Sequence, residues 1–142
     1  MQLEPYLFFD GNCETALAFY QQCLGGQIVA LHRFEGSPMA HQLPPECLQK
    51  VMHATFEVDG QRFMASDRMP GQPFAGHAGF SMSVNIPNDP VRGERVFLAL
   101  SKGGLVTMPF ALTFWGARFG MLVDKFGLSW MVNCDLSGPA AS

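Results

Sequence analysis

The chain has 142 residues, 48% hydrophobic and 15% charged, with a formal net charge of −3. That balance excludes a disordered chain and leaves no basic surface for nucleic acid or an anionic bilayer. No apolar run reaches the roughly 20 residues of a membrane span, and the opening "MQLEPYLFFD" lacks the basic cluster of a secretion signal. A length of this order suits a single domain with a substantial core. Cys13, Cys23, Cys47 and Cys134 form no C-x-x-C pair. They read as buried or idle thiols of a cytoplasmic protein rather than as disulfides or a zinc site.

A first strand is expected at about 4–10. "NCETALAFYQQCLGG" follows, placing Cys13, Ala16, Leu17, Tyr20, Cys23 and Leu24 on one helical stripe. Asn12 is the natural cap and Gly25–Gly26 the stop. Strands are expected at about 27–34, 52–59 and 62–67, the last two joined by a tight turn at Asp59–Gly60. Between them runs "EGSPMAHQLPPECLQKV", Pro-rich and without a period, which makes 35–52 a long loop and a candidate lid. The pattern then repeats. A strand at about 78–86 precedes "NDPVRGERVFLALSKGG", with Asn88 or Asp89 as cap, Pro90 at the first helical position and Gly103–Gly104 as stop. Strands at about 105–111, 117–123 and 128–134 complete it, the last hairpin turning at Phe126–Gly127.

The two halves align residue by residue. Gly25–Gly26 recur as Gly103–Gly104, Phe19 as Phe97, and Ile28 as Val106. "DGQRFMAS" aligns with "FGLSWMVN" at a spacing about 11 residues shorter, so the first copy carries that many extra residues in its long loop. The expected architecture is α+β: two βαβββ modules, about 4–67 and 78–134, related by a pseudo-twofold axis and forming a curved mixed-sheet cup.

"PYLFFDGNCETALAFYQQCLGG", "HATFEVDGQRFMASD" and "TFWGARFGMLVDKFGLSWMVN" together resemble the PhnB-like branch of the vicinal oxygen chelate superfamily. That superfamily includes glyoxalase, bleomycin and fosfomycin resistance proteins and extradiol dioxygenases. The resemblance covers nearly the whole chain and implies the glyoxalase/bleomycin resistance/dihydroxybiphenyl dioxygenase-like fold and a homodimer. Proteins of this branch have also carried a demethylubiquinone methyltransferase name. No G-x-G-x-G loop follows a strand to hold a methyl donor, and nothing resembles a phosphate cradle, so neither a methyltransferase nor a phosphonate-handling site is expected.

Strand alternation divides the faces. Ala54, Phe56, Val58, Phe63, Ala65, Phe80, Met82, Val84, Trp130 and Val132 are expected against the helices. His53, Thr55, Glu57, Arg62, Met64, Ser66, Ser81, Ser83, Asn85, Ser129, Met131 and Asn133 are expected on the opposite faces, with His77 in phase if its strand extends back. Trp115, in a short loop before Gly116, is expected to wall the cup. From these come the candidate ligand contacts: His53, Glu57, Met64, Ser66, His77, Ser81, Trp115, Met131 and Asn133. Asp67, in "SDRMPG", reads as a turn residue, and His32 and His41 read as bystanders.

The superfamily's metalloenzymes hold one divalent ion with inward His and Glu side chains. The resemblance places those four positions at Pro5, Met64, Gly79 and Met131, none a fit donor for a hard ion. No metal or other cofactor is therefore expected, and no catalytic residue is assignable. The expected function is binding of a small organic molecule in the cup. The rival is a metal-dependent lyase, isomerase or dioxygenase with a relocated site built from His53, Glu57, Ser66, His77 and Asn133.

Overall fold

The computed structural model describes residues 1–136. It contains β1 (Tyr6–Phe9), α1 (Cys13–Leu24), β2 (Gln27–Arg33), β3 (Val51–Val58), β4 (Gln61–Asp67), β5 (Met82–Asn85), α2 (Pro90–Ser101), β6 (Leu105–Leu112), β7 (Ala117–Val123) and β8 (Ser129–Asp135). The chain divides into two compact units, Met1–Ala75 and Gly76–Ser142. Each unit carries one βαβββ repeat as a four-stranded sheet, ordered β1-β4-β3-β2 in the first and β5-β8-β7-β6 in the second. In both, the outer β1/β4 or β5/β8 pair is parallel and the rest antiparallel. No helix among the described residues is long and apolar enough to cross a membrane.

The repeat rests on close approaches that only glycine permits. A Cβ on Gly26 would stand 2.4 Å from the Glu57 carbonyl oxygen, and one on Gly104 would stand 2.2 Å from that of Val123. Both values are far inside van der Waals contact, so each helix can turn directly onto its sheet only through glycine. Gly60 and Gly127 close the two hairpins at φ 75° and 86°, the left-handed region.

Each helix packs one face of its own sheet. In the first unit Leu17, Tyr20, Phe56, Phe63 and Ala65 are buried. Phe63 stacks on Phe56 at 5.1 Å and meets Tyr20 edge-on. In the second, Val96, Phe97, Leu100, Leu122, Trp130 and Val132 form the core. Phe97 stacks on Phe110 at 5.5 Å over Gly120, where a Cβ would strike the Phe97 ring at 2.6 Å. Trp130 is 2% exposed and donates its indole N–H to Asp124 Oδ2 at 2.8 Å. The same carboxylate accepts from the Phe126 and Leu128 amides and so fixes the β7–β8 hairpin.

Three expectations need correction. The strand expected at 78–86 shortens to Met82–Asn85, because Gly79 takes φ 79° and ladder pairing with β8 begins at Met82. Phe80 therefore escapes the alternation and is 46% exposed rather than core. Asn12 occupies the cap position of α1 without a side-chain capping bond. Asp67 supplies it instead: its Oδ1 accepts from Cys13 N and its Oδ2 from Val51 N, both at 2.9 Å. At 4% exposure and as the last residue of β4, Asp67 is a buried tie between helix and sheet rather than a turn residue, and the backbone amides it binds are distant in sequence. In the second repeat the cap is Asp89, which accepts from Arg92 N, and Asn88 takes φ 60° ahead of it.

Candidate functional site

In each unit one sheet face meets the helix and the other does not; the latter is here called the open face. In the first unit the register places Tyr6 beside Met64, Phe8 beside Ser66, and Met64 beside Thr55. Their neighbours Leu7, Ala54 and Ala65 are buried against α1, so this second set lies on the open face. At its centre is His53. Its Nδ1 lies 3.2 Å from the Tyr6 hydroxyl and its Nε2 lies 3.5 Å from Thr55 Oγ1. The Tyr6 ring packs against both His53 and Phe8, with centroids 5.7 and 5.1 Å away. Met64 is half-buried and Ser66 buried in the same field. Glu57 is exposed at the hairpin end, opposite Gln27 and Arg62.

In the second unit Met131 and Asn133 alternate with the buried Trp130 and Val132 along β8. Met131 lies between Ser83 and Met121, and Asn133 between Asn85 and Phe119. The Asn133 amide donates to Asn85 Oδ1 and Asp135 Oδ1, each at 3.1 Å. Trp115 packs edge-on against Phe119 at 5.9 Å, which sets the indole beside this same face. His77 and Ser81 lie in the segment ahead of β5. Ser81 Oγ is buried without a hydrogen-bond partner among the described residues. The His77 ring meets Phe80 edge-on at 6.2 Å. Burial holds the imidazole below the ordinary histidine range, while the charge of Asp124 pulls it back up.

Of the candidate contacts, then, His53, Met64 and Ser66 share one open face and Met131, Asn133 and Trp115 share another. Glu57 sits at a sheet end, and His77 and Ser81 in a connecting segment. Sequence reasoning passed over Tyr6, Phe8, Phe119 and His32, which stands directly opposite His53. The alternation in "PYLFFD" carried the signal for Tyr6 and Phe8.

The long loop closes at its stem, where Phe34 N donates to the Lys50 carbonyl and Glu35 N to that of Leu48. With the β1–α1 turn it walls a cavity of about 410 Å³ lined by Asp10, Asn12, Glu46, Cys47, Lys50 and Arg68. Its cations are already engaged, Lys50 with the Gly11 carbonyl and Arg68 with Asp10 and the Gln72 carbonyl.

The four positions that the superfamily's metal would require do not fit one. Met64 and Met131 present thioethers, Gly79 has no side chain, and the Pro5 carbonyl accepts from Met64 N at 3.0 Å. Among the described residues no three His, Cys, Asp or Glu side chains converge. A hard divalent ion wants several oxygen donors, which this set lacks.

The family model described as 3-demethylubiquinone-9 3-methyltransferase matches residues 1–133. Protein YjdN of Escherichia coli is 34% identical over 144 residues, covering 94% of this chain and 95% of its own length. A crystal structure of protein PA1353 from Pseudomonas aeruginosa is 44% identical, with a TM-score of 0.85 over 95% of this chain and 98% of its own. The PhnB protein of Bacillus cereus is 28% identical, with a TM-score of 0.78 over 94% and 99% of the two chains. A glyoxalase/bleomycin resistance protein from Albidiferax ferrireducens shares the fold at 15% identity, with a TM-score of 0.58 over 94% of this chain and 98% of its own. The chain therefore belongs to the PhnB-like family whose sequence model is described as 3-demethylubiquinone-9 3-methyltransferase, built on the glyoxalase/bleomycin resistance fold.

Proposed function

We propose that this protein binds a small organic molecule on its open sheet faces and does so without the metal quartet of the superfamily's metalloenzymes. The observation that carries the reading is the donor set. Where an ion would need carboxylates and imidazoles, Met64 and Met131 offer adaptable, polarizable thioethers. On the first unit's open face Met64 is accompanied by Tyr6, Phe8, His53, Thr55 and Ser66, and on the second unit's open face Met131 is accompanied by Phe119, Trp115 and Asn133. Apolar walls with a few placed polar groups are the usual make-up of a small-molecule site. The ligand contacts are assigned to His53, Glu57, Met64, Ser66, His77, Ser81, Trp115, Met131 and Asn133. Methyl transfer is left out of this reading because the sequence has no G-x-G-x-G turn after a strand to hold a methyl donor.

The same reading makes the protein a cytoplasmic homodimer. It is supported by cysteines that form no disulfide and by the exposed apolar side chains of Leu105, Leu112 and Phe114. Sedimentation at micromolar concentration tests the dimer, and a monomer contradicts it. The binding claim is tested by thermal-shift screening of small aromatic and aliphatic compounds against protein held in excess chelator. Stabilisation that persists in chelator is expected. Binding or turnover that appears only when a divalent ion is restored favours a metal-dependent lyase, isomerase or dioxygenase instead.

A further inference from the structure

The ladder between β2 and β3 pairs Ala30 with Thr55, Leu31 with Ala54, and His32 with His53. Ala54 is fully buried against the helix layer, so the pairs on either side of it point to the open face. Directly opposed residues of an antiparallel pair have Cβ atoms about 4.5–5.5 Å apart. Two histidines thus stand opposite each other on adjacent strands of this face, and His32 is exposed.

We propose that His32 and His53 form a two-imidazole site for a late first-row divalent ion such as Cu²⁺, Ni²⁺ or Zn²⁺. Imidazole is a borderline donor suited to these ions and poorly suited to Mg²⁺ or Ca²⁺. The Tyr6 hydroxyl holds Nδ1 of His53, as a metal-bound histidine is ordinarily held at its second nitrogen. Nε2 is left with Thr55 Oγ1 at 3.5 Å, the outer limit of a hydrogen bond and a contact that an ion displaces. Two protein ligands leave open coordination positions for water or an oxygen-bearing molecule. This site is separate from Pro5, Met64, Gly79 and Met131; it shares His53 with the proposed ligand contacts but does not rest on that reading.

Titration calorimetry of chelator-stripped full-length protein with Ni²⁺ tests it. One ion per chain is expected. Removing the outer-shell support by Tyr6→Phe is expected to weaken binding about tenfold, and His32→Ala or His53→Ala by more than that, since loss of a supporting group alone costs about 10–100-fold. His41→Ala is expected to change nothing. Because His32 is exposed, its variant keeps the fold, which circular dichroism verifies. In the wild type, substoichiometric Cu²⁺ is expected to broaden the ring resonances of His32 and His53 before those of His41 and His77. A His32→Ala protein that binds as tightly as the wild type, or a doubly substituted protein that keeps its stoichiometric ion, overturns the proposal.

Discussion

Replacing Asp67 tests how the first unit is tied together. Its carboxylate, 4% exposed, accepts from the Cys13 amide at the start of α1 and from the Val51 amide at the start of β3. Asp67→Ala leaves both donors buried without an acceptor. Each such loss costs about 1–3 kcal/mol, so the pair should cost about 3–5 kcal/mol. That is a large share of the roughly 5–15 kcal/mol available to a folded domain. Asp67→Asn keeps one carbonyl oxygen and turns an NH₂ toward the other amide, so about half that loss is expected. Urea unfolding followed by circular dichroism gives both values, with an unchanged m-value guarding the comparison. Native-state hydrogen exchange should show the Cys13 and Val51 amides losing protection first. If both variants lose less than about 1 kcal/mol, the ordinary cost of a surface cap, Asp67 is a turn residue after all and the tie is not real.

The cysteines should separate by burial. Cys13 is pushed up to about 12 by burial and by the charges of Asp67 and Glu14. A thiol-specific reagent should therefore label the half-buried Cys47 in the native protein, and Cys13, Cys23 and Cys134 only after unfolding. Gly26→Ala and Gly104→Ala force a Cβ into a carbonyl oxygen and should each cost about 2–3 kcal/mol. Gly116→Ala meets open space, and only its φ of 82° resists, so about 1–2 kcal/mol is expected; equal losses at all three positions would contradict the packing argument. His77, held below the ordinary histidine range by burial, binds its proton less readily folded than unfolded. Stability should therefore fall as the pH drops below about 6.5, and His77→Phe should flatten that limb of the curve.

Much of the fold was legible because local chemistry and global packing agree. The duplication shows in Gly25–Gly26 and Gly103–Gly104 because two of those glycines meet strand backbones that admit no side chain. Pro109 inside β6 is tolerable because β6 is an edge strand, which "LVTMPFAL" alone does not show. Alternation placed Trp130 behind its sheet and Met131 on the open side, as the register confirms. It misplaced Phe80, because alternation means nothing where no ladder exists. The long-range pairs were beyond local reading. Asp67 meets Cys13 across 54 residues, a partnership that "SDRMPG" cannot announce. His32 meets His53 only because the long loop returns the chain at one register, with irregularities near Ile28 and Arg33 that no spacing rule anticipates.

The most direct test of the account uses the nine methionines of the chain as reporters. Protein carrying ¹³C-labelled methionine methyl groups, stripped of metal and held in chelator, is titrated with a compound that stabilises it. The account predicts that the Met64 and Met131 methyl resonances shift along saturable curves at the affinity seen by thermal shift. Methyl resonances that stay fixed, or that move only after a divalent ion is added back, contradict it.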